Sequence, residues 1–197
     1  MIRTFAALLL LTGLLFGQND PVDMTVGPSV HTVEAGDSVT VSLTLSSEGQ
    51  GSLVAFDLAM RWDPSKLALV SAEMDPAYDW LIAGFLNDTD GFNDDPFDGD
   101  AVFTALVPIT QPLSVPPSAT ILHLTFIASE SGVVEFPRSM GTWATTKVVG
   151  TAPGTVVTGT TPQSVLVEVE PPRSRVMMVP VPFFGPIVIP FNPSALL

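Results

Sequence analysis

The stretch 38–45 alternates apolar and polar residues without a break. Val39, Val41, Leu43 and Leu45 fall on one face, and Ser38, Thr40, Ser42 and Thr44 fall on the other. A period of two is the signature of a β-strand that buries one face. Phe56, Leu58, Met60 and Trp62 repeat the pattern opposite Ala55, Asp57, Ala59 and Arg61. Leu122, Leu124, Phe126 and Ala128 repeat it again, with His123 and Thr125 turned outward. Val165, Val167 and Val169 close the series. Shorter strands are predicted over 24–26, 67–71, 102–107, 133–136 and 155–158. Turn-forming pairs separate these runs: Gly36-Asp37, Asp63-Pro64, Pro116-Pro117, Ser131-Gly132 and Pro153-Gly154. No long stretch carries a helical period, and only 76–85 has room for a short helical turn. Many short strands at this spacing predict an all-β sandwich or barrel.

The first residues follow a different rule. Arg3 precedes an apolar run from Phe5 to Phe16, and Gln18, Asn19 and Asp20 follow at once. A basic start and an apolar run too short to span a bilayer predict a secretory signal peptide over 1–17. A short spacer, 18–21, leads into the strand-rich part. The expected location is therefore secreted, extracellular or at the cell surface.

Composition narrows the chemistry. The 197 residues contain no Cys, which excludes disulfides, thiolate metal sites and a Cys nucleophile. The length fits one domain with short additions. Seven basic residues against twenty acidic ones, a net charge of −13, exclude a nucleic-acid partner. His31 and His123 are too far apart in sequence to suggest a His-rich metal motif. No phosphate loop, nucleophile elbow or HExxH is present.

The acidic residues are not spread evenly. Residues 67–137 hold eleven carboxylates and no Lys or Arg. Six lie in one short segment: Asp88, Asp90, Asp94, Asp95, Asp98 and Asp100. Oxygen-rich loops of Asp, Asn and Gly suit Ca²⁺, which takes six to eight oxygen ligands. An EF-hand register fails, however. With Gly91 as the turn glycine, Leu86 would be the first ligand; with Gly99, Pro96 would be the third. The segment is a candidate calcium site by composition, or a solvated acidic loop. Asn87-Asp88-Thr89 is also a glycosylation sequon. Trp80 and Trp143, outside the regular strands, are candidate sugar-stacking residues, whereas Trp62 belongs to a core face.

Taken in order, several segments resemble the cohesin family. They are VEAGDSVTVSLTL (33–45), LVAFDLAMRWDPSKLALVSAE (53–73), GDAVFTALVPITQPL (99–113), ATILHLTFIASESGVVEF (119–136) and SVLVEV (164–169). Gly36-Asp37 before an alternating strand, Trp62-Asp63-Pro64 ending the next, and Leu67-x-x-Val70 after it carry the likeness. The resemblance covers 22–170. It implies a jelly-roll sandwich of about nine strands, similar also to some carbohydrate-binding modules. It further implies a non-catalytic role: binding dockerin modules, which carry their own calcium, in assemblies that degrade polysaccharides or organise cell surfaces. In the family an Asn and an Asp on the strand before the aromatic-Asp-Pro grip the dockerin. Here the Asp falls on Asp57, and Ala55 stands at the Asn position. From the residues themselves, Ala55, Asp57, Ala59 and Arg61 are expected to form a flat outward face of small side chains suited to close contact. A polysaccharide is the alternative partner.

The end of the chain, 171–197, is a Pro-rich tail. Pro171, Pro172, Arg173 and Arg175 read as a linker, and 176–197 is uncharged and strongly apolar, with five prolines. Those prolines forbid a continuous helix. Asn192-Pro193 looks like a helix start. Two expectations follow: a truncated membrane anchor whose apolar helix is missing, or an extended tail packed on the sandwich or on a partner.

Overall fold

A computed structural model describes residues 21–49, 51–86, 98–115, 117–141, 144–150, 156–157 and 163–171. The expected signal peptide, most of the acidic segment, Trp143 and the tail beyond Pro171 lie outside the described residues. The sixteen strands among the described residues begin with β1 (Asp23–Gly27), β2 (Val30–Glu34), β3 (Ser38–Ser46), β4 (Gly51–Leu53) and β5 (Ala55–Arg61). Then come β6 (Leu67–Met74), β7 (Ile82–Phe85), β8 (Asp100–Leu106), β9 (Leu113–Val115), β10 (Ala119–Ala128) and β11 (Gly132–Phe136). The last five are β12 (Ser139–Met140), β13 (Ala144–Thr145), β14 (Lys147–Val149), β15 (Val156–Val157) and β16 (Gln163–Glu170).

These strands make two main sheets, whose inward-facing side chains form the main core. The smaller sheet has the order β1-β3-β10-β6. In it Val39, Val41, Leu43 and Leu45 of β3 are buried, as the alternation requires, and so are Leu122, Leu124, Phe126 and Ala128 of β10. A bulge between Thr120 and Leu122 lets Ile121 and Leu122 both turn inward. The larger sheet is organised around β5. One edge of β5 pairs with β8 along its whole length, and β7 pairs with β8 beyond it. The other edge is shared. β14 pairs with Ala55–Asp57, and β11 meets β5 at Arg61. β11 continues into β16, and β2 lies parallel to β16.

Ring contacts fill the space between the layers. Trp62 meets Phe126 of the smaller sheet edge-on, with centroids 5.7 Å apart. Phe56 lies against Phe103 at 6.3 Å and against Trp80 at 5.7 Å. Gln163 ties β16 to β1, accepting from the Val26 amide at 2.7 Å and donating to the Met24 carbonyl at 2.9 Å.

Turn chemistry sets the entry to several strands. After β5, the Asp63 carboxylate accepts from the Ser65 amide (3.0 Å) and hydroxyl (2.6 Å), as an Asp-Pro turn should. Gly99 enters β8 with φ of 120°, and a β-carbon there would stand 2.8 Å from the Trp62 carbonyl oxygen. That backbone approach and that φ both require glycine.

The expected helical turn in 76–85 is corrected. Asp75 caps a turn through the Ala77 amide at 2.8 Å, and the chain then becomes strand β7, joined to β8. Pairing with β8 outweighs any local preference in so short a segment. β2, β4, β7, β9, β12, β13 and β14 are two to five residues long, too short for a period of two to single them out.

Leu124→Ala should lower unfolding free energy by about 2–5 kcal/mol, because it opens a cavity between close-packed sheets. Thr125→Ala, one residue along on the outward face, should change it by under about 1 kcal/mol. Urea denaturation of both variants checks this; equal losses would overturn the two-faced reading of β10.

Candidate partner-binding face

The outer face of the larger sheet is ordered in rows by its registers. Ala55 lies between Leu106 and Val149, with Ile82 beyond Leu106. This row is apolar and open at Ile82, which is 55% exposed. In the next row Asp57 lies between Thr104 and Lys147, with Gly84 beyond Thr104. The Asp57 carboxylate accepts the Thr104 hydroxyl at 2.7 Å and pairs with the Lys147 ammonium at 3.0 Å. Both partners are half-buried, so the pair is better shielded from solvent than an ordinary surface ion pair. An aliphatic row beside a fixed ion pair can offer a protein partner both apolar contact and a charge that sets register.

The third row departs from the expectation. Ala59 was expected to face outward but is fully buried, packed with Val102, Met140 and Ala144. The β12–β13 ladder covers it. The reason lies in the backbone. β14 leaves β5 after Asp57, and β11 joins only at Arg61, so the Ala59 amide has no ladder partner. Thr146 fills the gap: its hydroxyl accepts from the Ala59 amide at 3.0 Å and donates to the Pro137 carbonyl at 2.7 Å. A buried amide needs such a partner.

Arg61 stands exposed beyond this cover, 3.7 Å from Asp100 on β8 and opposite Glu135 on β11. Of the four residues expected to form one face, Ala55 and Asp57 share an open patch, Ala59 is covered, and Arg61 lies on the far side of Ala59. Thr104, Lys147, Leu106 and Ile82 join the patch and were not singled out from sequence. Lys147 lies in a segment without periodicity, and Ile82 lies in the stretch expected to turn. Their one legible signal was the scarcity of basic residues, which makes any lysine near a carboxylate worth noting.

The other candidate residues are placed as follows. Trp80 is half-buried, edge-on to Phe56 and 6.4 Å from Tyr78, so its ring packs on the core. Trp143, Asp88, Asp90, Asp94 and Asp95 lie outside the described residues. Asp98 is exposed and accepts from the Asp100 amide at 3.3 Å. Among the described residues no three His, Asp or Glu side chains converge on a point where a metal ion could sit. His123 lies on the outer face of the smaller sheet, its Nδ1 3.0 Å from the Ser42 hydroxyl.

Two groups have displaced proton affinities. Burial pushes the His31 imidazole on β2 below its ordinary 6.5. Its Nε2 is buried without a hydrogen-bond partner among the described residues, which disfavours the charged form. Asp63 is held below its ordinary 3.8, first by the Ser65 hydroxyl, then by the Ser65 amide, with nearby Lys66 adding to both. For His31 the unfolded chain takes up a proton that the fold resists. Its contribution is therefore complete above about pH 6.5 and declines as pH falls below it. Asp63 contributes above its ordinary range and loses that contribution only at lower pH, through its depressed folded value. We expect the urea midpoint to fall between pH 7 and pH 5, and to fall less in His31→Leu. An equal fall in both proteins would remove His31 as the cause.

No protein-family model matches this sequence, and no curated protein matches it. Solved structures do match in shape. The third cohesin of ScaC from Acetivibrio cellulolyticus, in complex with the ScaB dockerin, aligns with a TM-score of 0.54 at 16% identity, over 75% of this chain and 98% of that one. A cohesin of OlpC from Clostridium thermocellum, in a type I complex with the dockerin Doc435, aligns at 0.53 and 13% identity, over 77% and 96%. The seventh ScaB type I cohesin of Pseudobacteroides cellulosolvens aligns at 0.52 and 13% identity, over 77% and 95%. The chain has the fold of these cohesin domains.

Proposed function

We propose that this chain is a secreted, non-catalytic cohesin-like module that docks a second extracellular protein of dockerin type. The fold supports the class. The observation that carries the docking site is the open patch on β7, β8, β5 and β14. Ile82, Leu106, Ala55 and Val149 form its apolar row, and the Asp57–Lys147 pair flanks it. The apolar row supplies contact area, and the ion pair with Thr104 supplies directional groups that a partner must match. The β12–β13 cover limits the docking surface to this end of the sheet. A role in assembling polysaccharide-degrading proteins follows if the captured partner carries such an enzyme.

The test uses the full chain as bait and secreted proteins of its source as prey, with calcium and again with chelator. A dockerin-bearing protein should be retained with calcium and released by chelator. Ile82→Asp should weaken its binding at least tenfold, and Asp57→Ala should weaken it measurably. Val70→Asp, on the smaller sheet, should leave it unchanged. Retention of no dockerin-bearing protein, or equal binding by Ile82→Asp, overturns the proposal.

A further inference from the structure

A second apolar row crosses the other half of the larger sheet and plays no part in the proposed docking. Val133 on β11 lies opposite Leu166 on β16, and Leu166 lies opposite Val30 on β2. All three are on the solvent face: 40%, 37% and 50% exposed. Single exposed aliphatics are ordinary on a protein surface, but three in one register row form a continuous stripe. The neighbouring rows are polar, with Glu135 opposite Ser164 on one side and Glu168 opposite Thr32 on the other.

We propose that the chain's own tail, residues 176–197, folds back across this stripe and covers it. Continuity supports this occupant. The tail follows directly from β16, the strand that supplies the middle residue of the stripe. Leu166 lies four residues before Glu170, about 13 Å along the strand. The five residues 171–175 can span about 17 Å when extended, enough to reverse and reach the stripe. Chemistry supports it as well. The segment 176–197 holds no charged residue and carries Phe183, Phe184, Ile187, Val188, Ile189 and Phe191. Each of its five prolines lacks the amide needed to add as a regular edge strand. It is suited to lie across side chains, not to extend the ladder. Charge agrees in sign. Arg173 and Arg175 sit in the connection, and exposed Glu168 and Glu34 stand on the same face toward the end where the chain leaves β16.

Because the chain has no Cys, a pair of introduced cysteines reports on proximity without interference. In the full chain, Val133→Cys is combined in turn with Val179→Cys, Phe184→Cys or Ile189→Cys. The control replaces Val133→Cys with Thr40→Cys, on the outer face of the smaller sheet. Dilute protein is oxidised, and disulfides are read on non-reducing gels and by peptide mass. We expect at least one Val133 pair to close within the chain at least tenfold faster than its Thr40 counterpart. Adding Leu166→Asp should abolish that preference. Equal rates for the two positions overturn the proposal. So does a predominance of disulfide-linked dimers, which would assign the stripe to a second copy. So does a preference that survives Leu166→Asp.

Discussion

Trp62 against Phe126 is the contact on which the rest of the molecule depends. It joins the residue just after β5 to the C-terminal part of β10, and so fixes one sheet over the other. Both rings are buried, and each continues an apolar series that recurs every second position. Slipping either strand by one residue would turn its whole apolar set into water. The register of β5 is therefore set from the inside. That register places Asp57 outward beside Thr104 and Lys147, so the core determines the geometry of the surface patch.

A sheet's outer face is not the same as a solvent-exposed face. Ala59 has the outward parity of Asp57, yet it is fully buried. The difference comes from one amide without a partner in the ladder. Where β14 has left β5 and β11 has not yet joined it, the backbone needs an acceptor, and Thr146 supplies one. Bringing Thr146 to that point places Met140 and Ala144 over Ala59 and Val102. The end of the open patch is thus a consequence of hydrogen-bond satisfaction and not of any local sequence preference.

The two open apolar rows of the larger sheet differ in their surroundings. The Ile82–Leu106–Ala55–Val149 row borders a half-buried ion pair held by a hydroxyl. Such a pair contributes orientation more than net affinity, because desolvation offsets much of its attraction. The Val30–Leu166–Val133 row borders exposed glutamates on the strand from which the chain departs. One row is proposed for recognition between molecules, and the other for closure within one.

The alternation in the sequence by itself determined the all-β class and most of the core; the two-layer sandwich came from the family resemblance and from the packed sheets. Val39 to Leu45, Phe56 to Trp62 and Leu122 to Ala128 alternate long enough for periodicity to decide which side is buried. It also determined the position of Asp57, since parity along a regular strand needs no knowledge of neighbours. Tertiary structure alone decided what stands next to that carboxylate. Lys147 and Thr104 lie 90 and 47 residues farther along the chain, in a three-residue strand and on the far partner of β5. Nothing local marks such a pairing, because a short strand has no period to read. It forms when the ladder on either edge of β5 is completed, and only the packed sheet determines which strand completes it.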